Sequence, residues 1–357
     1  MIIGVDVREG VRPQRAGKGE YVHQLVTELI KHTEHKFVLF TDAPVPTGWN
    51  RAHVRTLRLP ASPWLWQLLT VAHLEFVRSV DVYLSTTSLI VPALARSRPV
   101  VTVLFDFVSF LFPATHFSKA VLWEKLFMRP ALRFSRHLLV ISEHTKQDAT
   151  RLFGVASNKM TVTHLAPAFS AQQTEIEPLA QPTILFVGTL EPRKNLGTLI
   201  EAFNQLRNDG VDANLVLAGR WGWQGEVIRE AIAASPHADQ ITVMGHVPDH
   251  HKLSLYRRAT VLAFPSLYEG FGMPPLEAMS VGLPVVASHT SSLPEVVGEA
   301  GVLVSPTSPT ELSSALKSLL TSPAQLARFS ELGRQRADRF SWSRTARLTL
   351  DALQQFK

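Results

Sequence analysis

Short runs of Val, Ile, Leu and Phe recur along the chain, each followed by a stretch whose apolar positions return every three or four residues. In the first half the runs span residues 2–7, 37–41, 80–84, 100–105 and 137–141. In the second half they span 183–187, 214–218, 241–244, 261–264 and 284–287. Between them, 20–32, 119–134, 196–208 and 276–281 have helical spacing. Continuous apolar strands that alternate with helices predict parallel sheets covered on both faces. The alternation breaks over residues 166–182, which hold three prolines, three glutamines and two glutamates. The expected architecture is therefore α/β: two doubly wound, Rossmann-like domains, 1–166 and 183–341, joined by a linker at 167–182 and facing a central cleft. Ligands in such sheets bind outside the carboxyl ends of the strands.

Composition narrows the picture. A chain of 357 residues with 45 % apolar and 18 % charged residues can bury two cores. The absence of cysteine excludes disulfides, thiolate metal sites and a cysteine nucleophile. The start, MIIGVDV, reads as a strand and not as a signal peptide. Residues 64–77, the most apolar window, fall short of the ~20 residues of a membrane span and include His73 and Glu75. A cytoplasmic protein is expected. No basic stripe interleaved with aromatics argues for nucleic acid.

The densest candidate chemistry lies in 264–288, FPSLYEGFGMPPLEAMSVGLPVVAS. A strand ends at Pro265, Gly270 and Gly272 open the loop, Pro274 and Pro275 suit the first turn of a helix, and Gly282 suits its stop. Glu269 on the loop and Glu277, expected in the first helical turn, flank a helix start that favours anions. Such carboxylates can accept hydrogen bonds from sugar or ribose hydroxyls, or merely offset a dipole. In TILFVGTLEPRKNL, Gly188 begins a turn, Arg193 and Lys194 sit on the loop, and Asn195 is placed to cap the next helix. An Arg fork and a Lys point charge at a strand end suit a diphosphate. Weaker candidates are Gly17 and Gly19 on a loop before the first helix, Asp106 after the 100–105 strand, and Gly219 with Arg220 after 214–218. No HExxH, Asp-x-Asp, GxSxG or P-loop motif occurs, so no metal or cofactor is expected.

These segments resemble the family 4 (group 1) retaining glycosyltransferases of GT-B fold, most closely their bacterial mannosyltransferase branch. The E-x7-E element from Glu269 to Glu277 carries the resemblance, together with GTLEPRKNL, residues 245–266 and residues 291–304. The first half matches more loosely, through residues 3–19, 101–113 and HLLVISEHTKQD. The resemblance implies that Glu269 contacts the transferred sugar, Glu277 holds the ribose, and Arg193 and Lys194 neutralise the departing diphosphate. It also implies backbone donors at Phe271, Gly272 and Met273, base contacts near His246 and Val247, and a last helix, about 342–357, that returns to the first domain. A nucleotide-sugar donor, a glycan or polyprenyl-linked oligosaccharide acceptor and a metal-free reaction follow from the same likeness. Where many relatives have His-Asp, this chain has Phe105–Asp106. The alternatives are another UDP- or GDP-sugar transferase, or a non-catalytic nucleotide-binding subunit.

The formal charge of +6 gains meaning when it is divided. Residues 1–165 carry 20 Lys and Arg against 12 Asp and Glu, and residues 166–357 carry 16 against 18. Lys119, Lys125, Arg129, Arg133 and Arg136 accompany Phe117, Leu122, Trp123, Phe127 and Phe134, with Trp64 and Trp66 as a second apolar edge. That pattern suits an anionic membrane surface, at the inner face of the cell membrane, as well as an ordinary amphipathic helix.

Overall fold

A computed structural model describes residues 1–356 apart from 14, 16, 61, 113–117 and 169–180. Most of the expected linker, and Phe117, therefore lie outside the described residues. The chain divides into two compact units. One is drawn from Met1–Leu111, Phe117–Leu165 and Ser341–Lys357, the other from Ala166–Phe340 with Phe112–His116.

The first unit is built on seven parallel strands. These are β1 (Ile2–Asp6), β2 (Lys36–Thr41), β3 (Val54–Arg58), β4 (Val82–Ser85), β5 (Val100–Leu104), β6 (His137–Val140) and β7 (Met160–Val162), in the order β3-β2-β1-β4-β5-β6-β7. Every residue of β4, β5 and β6 is buried, as a sheet covered on both faces requires. The apolar runs did not foretell β3 or β7. The former is an edge strand whose VRTLR is largely exposed, and the latter has only three residues. Helix Trp342–Gln354 packs on helix Gly17–Lys31 of this unit, with Trp342 edge-on to Tyr21 at 5.8 Å. Thr345 Oγ1 donates to the His164 carbonyl at 2.5 Å.

Two expectations need correction here. Gly17 and Gly19 are not loop residues, because the first helix already begins at Gly17. Gly19 is buried, and a Cβ there would stand 2.7 Å from the Glu9 carbonyl oxygen, so it serves close packing. Trp66 is not a surface edge either. It is fully buried, with the Arg8 guanidinium 4.0 Å above its ring.

The second unit has six parallel strands: β8 (Thr183–Val187), β9 (Asn214–Ala218), β10 (Ile241–Gly245), β11 (Val261–Phe264), β12 (Val285–Ser288) and β13 (Val302–Val304), in the order β10-β9-β8-β11-β12-β13. The three-residue β13 was not foretold. The order reverses once in each sheet, between β1 and β4 and between β8 and β11. Ligand crevices of doubly wound sheets form at such reversals. The two segments singled out for chemistry follow β8 and β11, and so flank the reversal of the second sheet.

Candidate active site

The turn after β8 depends on two glycines. Gly188 has φ +152°, and a Cβ on Gly219 would lie 1.7 Å from the Gly188 carbonyl oxygen. Only glycine lets the ends of β8 and β9 approach this closely. The chain then forms a single 3-10 turn, Pro192–Lys194, which turns both cations toward the loop after β11. Lys194 Nζ donates to Glu269 Oε1 at 2.5 Å, and Arg193 Nη1 stands 3.3 Å from the same oxygen. Arg193 also donates to the Tyr268 carbonyl and to Glu191 Oε1, each at 2.6 Å. Lys194 and Glu269 are both buried.

Burial alone would raise the Glu269 carboxyl. The Lys194 ammonium and Arg193 guanidinium outweigh it and hold Glu269 below its ordinary value. Burial pulls the Lys194 ammonium below the usual lysine range, with Glu269 opposing. Glu269 is therefore an ionised acceptor at neutral pH, held against two cations.

The loop that carries Glu269 is fixed from a third segment. Ser291 Oγ accepts from the Glu269 N–H at 2.9 Å, and Ser292 Oγ donates to the carbonyls of Glu269 and Phe271 at 2.9 and 2.7 Å. Gly272, at φ +111°, starts helix Met273–Ser280, and a Cβ there would stand 2.8 Å from Leu293. Pro274 and Pro275 have no N–H, and the Leu276 N–H bonds back to Gly272. An anion at this helix start would therefore rely on the backbone donors of 271–273. The Phe271 ring is buried edge-on to Phe340 at 5.8 Å, so any ligand contact by Phe271 comes from its backbone. Gly270 lies on the bend between Glu269 and Phe271, and Met273 is half-buried.

Glu277 falls in the second turn of its helix, not the first, so it does not serve the helix dipole. It is buried, Oε1 accepts from Lys252 Nζ at 3.1 Å, and Oε2 accepts from Tyr256 Oη at 2.9 Å. Both partners lie on helix Asp249–Arg258 and were not foreseen. Asn195 occupies the N-cap position but caps nothing. It is left-handed at φ +60°, and its amide donates to the carbonyls of Pro265 and Pro306 at 3.1 and 2.6 Å while Oδ1 accepts from Thr198. His246 and Val247 follow β10 at the sheet edge, His246 exposed and Val247 half-buried. Arg220 is exposed beyond β9.

The structure thus brings Arg193, Lys194 and Glu269 together and pairs Glu277 separately. In the first unit, Asp106 accepts from the Val108 N–H at 3.1 Å and so starts the short helix Val108–Leu111. At the first sheet's own reversal, sequence reasoning missed Asp6. It is fully buried, accepts from the Arg8 N–H at 3.2 Å and from Thr87 at 3.3 Å, and faces the Arg8 guanidinium at 3.9 Å. Burial raises its carboxyl to about 6, against the opposing pull of Arg8. Among the described residues, no group of three or more His, Asp and Glu could hold a metal ion.

Residues 170–336 match the model of the family "Glycosyl transferases group 1". The chain is 31 % identical over 268 residues to the O-antigen chain mannosyltransferase B of Escherichia coli, covering 72 % of this chain and 70 % of that one. Among solved structures, sucrose-phosphate synthase from Thermosynechococcus elongatus superposes with a TM-score of 0.79 at 19 % identity, covering 99 % of this chain and 98 % of the other. The Anabaena protein Alr3699/HepE in complex with UDP-glucose gives 0.78 at 19 % identity, covering 99 % and 100 %.

Proposed function

The chain belongs to the glycosyl transferases of group 1 and has the GT-B fold, and from that premise we propose that it is a retaining α-mannosyltransferase in bacterial surface-polysaccharide assembly. Its donor would be GDP-mannose and its acceptor a lipid-linked or polysaccharide glycan. The observation that carries the reading is the buried Arg193–Lys194–Glu269 cluster at the β8/β11 reversal. The greatest charge to develop in glycosyl transfer from a nucleotide is on the departing diphosphate, and two cations fixed beforehand on a rigid turn stabilise it with little reorganisation. Glu269 would accept from hydroxyls of the transferred sugar. Glu277, aimed by Lys252 and Tyr256, would accept from the ribose hydroxyls. The Glu269 carboxylate is tied to Lys194 and Arg193, which suits a hydrogen-bond acceptor more than a nucleophile and favours a front-face displacement in which the acceptor hydroxyl attacks from the side the diphosphate leaves. The mannosyltransferase name of the E. coli relative supports mannose.

The first unit supports a peripheral place on the inner membrane surface. Helix Ser118–Phe134 leaves Leu122 64 % and Leu126 56 % exposed beside Lys125, Arg129 and Arg133. Trp123 packs edge-on against the exposed Trp64 at 4.2 Å. No helix of the described residues is long and apolar enough to cross a membrane.

A radiolabelled-donor assay with extracted lipid acceptors tests the proposal. Transfer from GDP-mannose, lost in Glu269→Ala, is the expected result. Transfer from a UDP-sugar instead would keep the enzyme and change the donor. Nucleotide binding with no turnover from any donor would favour the non-catalytic subunit, a reading to which Phe105 in place of the family His lends weight.

A further inference from the structure

The amino edge of the first sheet carries a concentration of positive charge unrelated to the loops above. Arg98 lies just before β5, Arg136 immediately before β6 and Lys159 immediately before β7. With Arg96 and Arg133 they line a cavity of about 360 Å³ that has Phe134 in its wall and no carboxylate in its lining. Among the described residues, the five cations form no ion pair. Lys159 Nζ instead donates to the carbonyls of Leu132 and Arg133 at 2.6 and 3.0 Å, where the helix Ser118–Phe134 ends. Arg96 lies over the Phe134 ring at 3.5 Å, and Glu75, the nearby acid, is taken up by the N–H groups of Arg96 and Ser97. The Nε of Arg98 is buried without a partner. Lys159 is held below the usual lysine range, first by burial and then by Arg136.

A helix C-terminus attracts one or two cations, and Lys159 alone already meets the terminal carbonyls here. Arg133 and Arg136 exceed that need, while Arg98 spends Nη2 on the Arg78 carbonyl at 3.2 Å. A second cavity, of about 590 Å³, shares Arg133, Phe134 and Lys159 with the first and continues past Pro130, Leu132 and Phe153. The second cavity adds Arg129 to the cations and Pro130 and Phe153 to the apolar wall, so the two together combine positive charge with apolar surface, as an amphiphilic phosphate requires.

We propose that these two cavities form one binding site for an anionic membrane phospholipid, with its phosphate among Arg98, Arg133, Arg136 and Lys159 and its first acyl carbons against Pro130 and Phe153. The site rests on the membrane placement above and names the lipid group that would enforce it. It lies at the strand edge opposite the one where doubly wound sheets bind their reacting ligands, so it would hold the protein to the surface without taking part in transfer.

The test is co-sedimentation of the full chain with phosphatidylcholine vesicles, with and without phosphatidylglycerol. Arg133→Gln/Arg136→Gln, at two exposed positions, should weaken retention on the anionic vesicles by about tenfold or more and leave the melting temperature in place. Arg55→Gln/Arg58→Gln, on β3, removes the same charge elsewhere in the unit and should weaken it far less. Equal losses in the two variants would overturn the site and leave only general attraction to the surface. Retention unchanged in the first variant would overturn it as well. Failure of the wild-type chain to bind either vesicle would overturn the membrane placement itself. Short-chain phosphatidylglycerol below its micelle concentration should raise the melting temperature where equimolar inorganic phosphate does not. An equal rise with phosphate would overturn the lipid assignment.

Discussion

Lys194→Ala is the most exposed consequence of the cluster after β8. The substitution leaves Glu269 buried with its 2.5 Å partner gone and only Arg193, at 3.3 Å, to oppose its charge. Breaking a buried pair from one side costs roughly 3–5 kcal/mol, because the remaining charge keeps its desolvation penalty. With Arg193 still in place, about 3 kcal/mol is expected. For a unit of this size that is roughly 6–12 °C of melting temperature. The double variant Lys194→Ala/Glu269→Gln should recover about 1–3 kcal/mol of the loss, a direct reading of the coupling. The pH dependence has a definite sign. In the wild type Glu269 is held below its ordinary value of 4.5, so its contribution is complete above that pH and fades as the pH falls below it. Without Lys194, burial dominates and the carboxyl rises, so the variant's native state takes up a proton first and the variant gains relative to the wild type on acidification. The stability gap should therefore narrow from pH 7 toward pH 4. Calorimetric scans of the wild type, Lys194→Ala, Glu269→Gln and the double variant at several pH values decide the matter. A single variant as stable as the wild type, or a gap independent of pH, would refute the buried-pair account.

Three further outcomes follow from the same structure. Gly219→Ala should destabilise the second unit by about 3 kcal/mol or more, because its Cβ would meet the Gly188 carbonyl oxygen at 1.7 Å; a wild-type denaturation midpoint would contradict this. Asn195→Ala removes donors from the carbonyls of Pro265 and Pro306 and strains a left-handed backbone, so a loss of roughly 2–4 kcal/mol is expected. Asn195→Gly, free of the strain, should lose measurably less. Asp6 shifts from 3.8 to about 6 on folding, so the native chain holds its proton longer. Stability should fall as pH rises from about 4 to 6, by up to about 3 kcal/mol, and Asp6→Asn should remove that slope from urea-denaturation titrations.

What could be read in the chain beforehand had local causes. Gly270, Gly272, Pro274, Pro275 and Gly282 bracket a strand, a loop and a helix, and their conformational preferences act within a few residues. The pairing of Glu277 with Lys252 and Tyr256, the serine ties from Ser291 and Ser292, and the carbonyl ties of Asn195 to Pro265 and Pro306 join residues about 20 to 110 positions apart. Nothing in their local pattern marks them, and Asn195 before a helix reads as a cap to any local rule. Trp66 shows the same limit, because it is buried in a cluster with Val38, Phe40 and Tyr83, with Arg8 over its ring, all from other segments. The edge strand β3 was missed because one face of an edge strand need not be apolar.

The side chain of Asn195 has a consequence for how a donor is received. Through one amide the turn after β8 is tied to the end of β11 and to the segment after β13. Loosening any one of these turns would cost a hydrogen bond to the others, so the ties favour an ordered arrangement before any ligand arrives. A donor at the proposed site would spend little of its binding free energy on arranging the receptor. The second unit is then a fixed template, and changes of sugar or base preference over evolution would be sought first in residues outside this tied framework, such as the exposed His246 at the rim of β10.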